Sequence, residues 1–365
     1  MQQTEVAAVL ERERELTQLD RLVDEVRDGQ GRLVLVEGPA GIGKTRLLEE
    51  VRALARERGL IVLSARASEL DREFPFGIVR QLFEPLIAGV DAKRRAKLLH
   101  GAAGLAAPLL GRGGPEQEAP DRDPSLAHFH ALYWLTANLA EEEPAALVID
   151  DVHWADASSL RFMQFLLPRL GELPVLLALA TRPAEPGAER EPIDSLATDP
   201  LGHVLRPAPL SDGAVAGLVA CELDAEADPE FSEACHQATG GNPFLLRELL
   251  RELVVDGVSP TAAQASVVGQ LAPPTVARAV LLRLARLGDE ASALARAVSV
   301  LGDGVPLHRA AALAGLSGER AGELSAELAG ADILTATRPL AFAHPILRSA
   351  VYGDIDPGAR SRAHR

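Results

Sequence analysis

The chain has 365 residues, 37 Lys plus Arg against 52 Asp plus Glu, a formal charge of −15, 47% hydrophobic residues and only 4% aromatics. That length exceeds one ordinary core and predicts two or three domains packed mainly by aliphatic side chains, while the acidic balance excludes broad, sequence-independent attraction to a phosphate backbone. The longest apolar runs, such as "PVLLALA" at 174–180, are far shorter than a bilayer span, and the opening residues lack a basic start followed by an apolar core, so neither export nor membrane anchoring is expected.

In chain order, "RLVLVE" at 32–37 is a short aliphatic run bounded by Gly31 and Gly38, which suits a buried parallel strand. The helix that follows places Leu47, Leu48, Val51, Leu54 and Ala55 at helical spacing and stops at Gly59. A second strand is predicted at 60–65, "LIVLSA", which completes one βαβ unit. From Phe74 to Ala140 the pattern is mainly helical, broken at 111–124 by a Gly, Pro and charge cluster that predicts a flexible surface insertion. Strand-like runs return at 145–151, 174–182 and 203–210, with a helix between the first two. The expected fold class is therefore α/β, a parallel five-stranded sheet sandwiched by helices over residues 1–210.

Beyond residue 210 the strand signal fades, and Ser211 reads as an N-cap. A helical lid is expected over 211–272. A winged-helix-like domain is expected over 273–365, from helices near 275–286, 289–301, 306–315 and 318–329, two short β-like runs around Thr337 to Pro339, and a closing helix. The last residues, "GARSRAHR", read as an interrupted basic helix, so a longer protein is expected. Cys221 and Cys235 lie 14 positions apart without metal-type spacing; they read as two buried or half-buried thiols of a reducing, cytoplasmic compartment.

The most specific signal is "VEGPAGIGKTR" at 36–46. Gly38, Gly41, Gly43, Lys44 and Thr45 satisfy G-x-x-x-x-G-K-[ST] between a predicted strand and a predicted helix. Glycines there reach backbone angles that a Cβ forbids, so successive N–H groups can ring phosphate oxygens at a helix start. Pro39, Ala40, Ile42 and Arg46 complete the cradle. Lys44 is expected to pair with the β- and γ-phosphates, and the Thr45 hydroxyl to ligate Mg²⁺.

A second site lies at the end of "AALVIDD", where a buried strand finishes in Asp150 and Asp151. Adjacent carboxylates at such a position call for a cation or a water network. Asp150 is assigned to Mg²⁺ through water, and Asp151 to activation of the attacking water. Asp156, in "DASSL", reads instead as a helix cap. The next strand ends "LALATR", which puts Thr181 and Arg182 at the ligand-facing edge of the sheet, with Arg182 placed to sense the γ-phosphate.

Taken together, these motifs resemble the signal-transduction ATPases with numerous domains, and among them the large ATP-binding regulators of the LuxR type. "LERERELTQLDRLV" resembles the family's opening segment that helps enclose adenine, with Arg12 in place and Glu11 where the family usually has glycine. "FPFGIVRQLFEPL" is similar to the helix after the phosphate loop, and "LVIDDVHWADASSLRFMQFL" to the acidic strand end with its His153-Trp154 pair. "TGGNPFLLRELL" is similar to the lid motif, which implies that Pro243 lies against the base; "FAHPILRSAVY" is similar to the segment in which a histidine, here His344, contacts the nucleotide. A lone histidine before proline also serves structural roles, and that alternative stays open.

The resemblance implies an ATP/ADP switch with slow hydrolysis, self-association in the ATP state, a small-molecule or protein inducer, and DNA contact only through a C-terminal domain absent from this chain. A nucleotide-bound scaffold without hydrolysis is the competing reading. "LSGER" at 316–320 only faintly echoes a transporter ATPase signature, lies far behind the acidic strand end, and reads as a helix capped by Ser317. The helices of the last hundred residues carry too little positive charge for direct DNA binding.

Overall fold

The computed structural model describes residues 10–112, 126–183 and 191–364. Five parallel strands, β1 (Arg32–Glu37), β2 (Ile61–Arg66), β3 (Ala145–Asp150), β4 (Val175–Thr181) and β5 (Gly202–Leu205), form one sheet in the order β2-β3-β4-β1-β5. The α/β class and the five parallel strands expected from the sequence are what the fold contains. Their spatial order is new information: β4 lies between the strand that feeds the glycine loop and the strand that ends in the acids.

The chain divides into two compact units. Among the described residues, the first holds 10–38, 44–112, 126–182 and 191–207; the second holds 39–43, 183 and 208–364. In the first, helices α1 (Glu13–Arg27), α2 (Lys44–Glu57), α3 (Gly77–Gly89), α4 (Ala92–Leu98), α5 (Leu126–Glu142), α6 (Ala157–Leu170) and α7 (Glu191–Ala197) accompany the sheet.

Period-two alternation explains the layering, because successive strand residues point to opposite faces. Leu33, Leu35, Leu147, Ile149, Leu177 and Leu179 face a core shared with α3, α5 and α6. Val34, Val36, Ala146, Val148, Leu176, Ala178 and Ala180 face a second core with Leu19, Leu22, Val23 and Val26 of α1 and Leu47, Leu48 and Val51 of α2. Both faces are covered, which is why β3 and β4 are buried along their entire length and read as unbroken apolar runs.

Asp156 is more than the single cap expected. Its carboxylate, 2% exposed, accepts from Ser159 N at 2.8 Å at the start of α6 and from Phe76 N at 2.7 Å at the start of α3. One buried acid thus serves the orphan N–H groups of two helix ends and fixes their relation. Strand β5 stops at Leu205 rather than running to 210, since Pro207 and Pro209 have no N–H to continue a ladder. The insertion expected at 111–124 lies outside the described residues except for Gly111 and Arg112.

The second unit is helical: α8 (Asp212–Glu222), α9 (Pro229–Thr239), α10 (Pro243–Val255), α11 (Ala265–Val268), α12 (Pro274–Leu287), α13 (Asp289–Leu301), α14 (Leu307–Ala314), α15 (Gly318–Gly330), α16 (Pro345–Asp354) and α17 (Pro357–Ala363). The Oγ atoms of Ser211 and Ser317 cap α8 and α15 by accepting from Ala214 N and Arg320 N. One continuous apolar core, from Leu210 through Leu246 and Leu294 to Val351, joins these helices. The β-like runs around Thr337 do pair, through Thr335 N to Ala341 O at 2.9 Å and Ala343 N to Ile333 O at 3.0 Å, yet they form only isolated bridges, Leu334 with Phe342 and Val305 with Leu340. A single turn around Pro339 leaves too few residues for regular strands.

Candidate nucleotide-binding site

Strand β1 delivers the chain to the parallel sheet's carboxyl edge, where Gly38 N donates to Thr181 O at 3.2 Å. The loop then turns through Gly41 (φ +82°) and Gly43 (φ +105°), both in the left-handed region that a side chain opposes, while Gly38 is not in that region. Space around Gly43 is open, with nothing within 4 Å of where a Cβ would sit. The requirement at Gly43 is therefore conformational. Helix α2 begins at Lys44, so the positive end of its dipole lies directly after the loop.

Lys44 is buried (7% exposed) and its Nζ donates to Gly38 O at 2.8 Å, which ties the ammonium to the loop's own first carbonyl. Thr45 Oγ1 donates to Asp150 Oδ2 at 2.8 Å. Asp150, at the end of β3 and 2% exposed, also accepts from Asp151 N through Oδ1 at 2.9 Å. A hydroxyl and a buried carboxylate at the base of an anion-binding loop are the hard oxygen donors that suit Mg²⁺ with retained waters. The Arg46 side chain instead pairs with Glu49 at 3.1 Å and Glu50 at 2.7 Å along α2.

Asp151 adopts a left-handed backbone (φ +53°), and its Oδ2 lies 3.4 Å from Arg66 Nη2 at the end of β2. Arg66 is the register partner of Asp150. Thr181 ends β4, between the loop strand and the acid strand, and Arg182 follows it. Thr181 is fully buried, and Arg182 Nε is buried with no hydrogen-bond partner among the described residues. A buried guanidinium donor left open is the kind of group that an anionic ligand satisfies.

Arg12 is 4% exposed, occupies the N-cap position of α1 without a side-chain capping bond, and donates through Nη1 to Glu11 O at 2.9 Å. Glu11 has φ +54°, in the left-handed region that favours glycine. A cleft of about 190 Å³ nearby is lined by Arg14, Glu15 and Gln18 of α1 and by Val204, Leu205 and Arg206 at the end of β5. Arg206 Nε donates to Glu37 Oε2 at 2.8 Å.

Within the second unit, Pro243 is the first residue of α10, and half-buried His344 precedes α16. His344 packs so closely on Gly240 that a Cβ there would come within 2.7 Å of its Nδ1. Burial pushes its pKa below the ordinary histidine value, and Asp332 opposes that shift. The loop tip 39–43 belongs to this unit, and three bonds hold it: Asn242 Nδ2 donates to Ala40 O at 2.9 Å, Phe244 N donates to Gly41 O at 3.2 Å, and Ala40 N donates to Asp332 Oδ2 at 3.2 Å.

Sequence reasoning missed Asn242, Asp332 and Arg66. The Asn-Pro pair does signal a helix start, and Asn242 Oδ1 indeed accepts from Phe244 N and Leu245 N. Its second bond, to a residue 202 positions away, leaves no local trace. Cys235 is buried as expected, but Cys221 is exposed.

Residues 8–178 match the sequence model of the AAA ATPase domain family. An uncharacterized protein of Rhizobium meliloti (strain 1021), R02095, is 27% identical over 394 residues that include 98% of this chain; the chain spans 36% of that relative's length. Among solved structures, the Walker-type ATPase PABY2304 of Pyrococcus abyssi is similar over 94% of this chain and 96% of its own, with 15% identity and a TM-score of 0.59. A signal-transduction ATPase with numerous domains and a tetratricopeptide-repeat sensor, PH0952 of Pyrococcus horikoshii, aligns over 94% of this chain and 44% of its own at 16% identity and a TM-score of 0.39. Among the described residues no helix is long and apolar enough to cross a membrane. The stretch that matches the AAA ATPase domain, residues 8–178, contains the glycine loop with Lys44 and Thr45 and the strand end with Asp150, and the parallel sheet around them is the fold shared with the Walker-type ATPase.

Proposed function

We propose that the chain is the nucleotide-switch module of a LuxR-type transcription regulator, which binds ATP and ADP with Mg²⁺ and hydrolyses ATP slowly. The observation that carries the reading is the bond from Thr45 to Asp150 at the base of the loop beside buried Lys44, since it brings metal-holding oxygens and a phosphate counter-charge to one helix start. Lys44 neutralises the β- and γ-phosphates, Arg182 reads the γ-phosphate, and the amides from Gly41 through Thr45 ring the oxygens. When bound by Thr45 and Asp150, Mg²⁺ supplies Lewis-acid neutralisation of phosphate charge. Asp151 orients the attacking water and takes its proton. Arg12 closes over the adenine, with Pro243 of a lid at 211–272 against the base and His344 of a winged-helix-like segment at 273–365 toward the nucleotide.

Switching follows if ATP and ADP differ in affinity for two arrangements of the chain, since a ligand shifts an equilibrium only by its differential affinity. Self-association in the ATP state, an inducer, a cytoplasmic location and a DNA-reading domain outside this chain belong to the same proposal. One observation favours the scaffold alternative: Asp151 is already paired with Arg66, which leaves its carboxylate less available to a water.

Two measurements test the reading. Calorimetry with Mg²⁺ and either nucleotide, together with mass spectrometry of whatever the freshly purified protein releases on denaturation, is expected to detect adenine nucleotide. No heat and no released nucleotide would overturn the proposal. Single-turnover hydrolysis should fall by about 10²-fold or more in Asp151→Asn, the scale of a lost general base; equal, negligible rates in both proteins would establish the scaffold instead.

A further inference from the structure

Asp332 lies outside the glycine loop and the acidic strand end in sequence, shortly before the "FAHPILRSAVY" segment. Its backbone sits in the left-handed region (φ +55°) at the end of α15, which brings its carboxylate to the amide of Ala40, 292 positions earlier in the chain. Ala40 is the third residue of the glycine loop. A loop of inward amides is built to hold an anion, and a carboxylate oxygen 3.2 Å from one of those amides is an anion already in place.

The contact is anchored. Asn242, 4% exposed and fixed as the cap of α10, holds the carbonyl of the same residue, Ala40, while Phe244 N holds the carbonyl of Gly41. Both Asp332 and Asn242 therefore fix one short segment of main chain, one by charge and the other by a neutral amide. Only the first responds to the charge of what the loop binds.

We propose that Asp332 sets the loop's preference among its ligands by charge, disfavouring the nucleotide with the extra phosphate so that this chain holds the diphosphate more readily than its phosphate-binding residues alone would dictate. The inference rests on the nucleotide-binding reading given above. Its physical basis is that a fixed negative charge at the loop tip repels each further negative charge brought to the loop, and such like-charge repulsion near a protein surface amounts to roughly a tenfold effect on binding or more.

Two substitutions remove the charge while respecting the backbone. Asp332→Asn keeps an oxygen acceptor for Ala40 N and tolerates the left-handed angle; Asp332→Gly adopts that angle without strain and removes the side chain altogether. The experiment is equilibrium binding of Mg-ATP and Mg-ADP to the full chain and to both variants, with thermal melting as the check on folding. Each variant is expected to raise the ratio of ATP affinity to ADP affinity by about tenfold. A ratio unchanged within twofold, in variants that bind nucleotide, would overturn the role of Asp332 and leave the nucleotide reading intact. Failure of the unsubstituted chain to bind either nucleotide would overturn both.

Discussion

Thr45 and Asp150 are 105 positions apart in the chain, and the Thr45 hydroxyl donates to Asp150 Oδ2 at 2.8 Å. Asp150 is almost fully buried, and both of its oxygens are engaged, by this hydroxyl and by Asp151 N. Such a carboxylate is held in position before any ligand arrives, so little ordering is left to be done on binding.

Asp150→Asn should therefore separate metal from fold. The amide keeps one oxygen acceptor but introduces NH₂ donors beside a hydroxyl and an N–H, at about 1–3 kcal/mol of stability. Mg²⁺-dependent strengthening of nucleotide binding should disappear, whereas binding measured in chelator should change little. Thermal melting and calorimetry with and without Mg²⁺ check both parts.

Gly31→Ala and Gly43→Ala should fail in opposite ways. A Cβ on Gly31 would lie 1.8 Å from the backbone Leu170 O, where neither side can yield, so the folded state should lose about 3 kcal/mol. On Gly43 it would meet open space, and only the left-handed angle (φ +105°) resists it, at about 1–2 kcal/mol. Chemical denaturation should rank Gly31→Ala as the less stable protein, and nucleotide titration should rank Gly43→Ala as the weaker binder.

The two thiols should differ sharply in reactivity. Burial pushes the Cys235 thiol up to about 12, while Cys221 is exposed. Since the thiolate is the reactive form, a maleimide at pH 8 should label one thiol in the native protein and two in denaturant. Cys221→Ser should abolish the native labelling; persistent labelling of that variant would show that Cys235 is accessible.

Acidification should weaken the fold partly through His344. Burial holds its folded pKa below the ordinary value of 6.5, and Asp332 offsets that only in part. The unfolded chain therefore binds more protons than the native one as pH falls below 6.5, so stability drops over that window and levels off once the folded-state value is passed. Histidine 203, lowered first by burial, adds to the same slope. Denaturant unfolding between pH 7.5 and 5 should show a shallower decline in His344→Gln than in the unsubstituted chain.

Sequence by itself determined what depends on neighbours along the chain. The runs that became β1, β3 and β4 were legible because strands covered on both faces must be apolar throughout, and the caps at Ser211, Asp156 and Ser317 because a short polar side chain before an amphipathic run satisfies the first N–H groups. The glycine loop was legible because only glycine relieves left-handed angles at Gly41 and Gly43. Tertiary structure alone decided which distant residues meet. It placed β4, with Thr181 and Arg182, between the loop strand and the acid strand, gave Asp156 a second helix to cap, and set Asn242 and Asp332 on the two sides of Ala40. The physical reason is that strand order and side-chain reach across hundreds of positions come from burying both faces of one sheet and closing a separate helical core, and neither leaves a periodic mark on the residues it brings together.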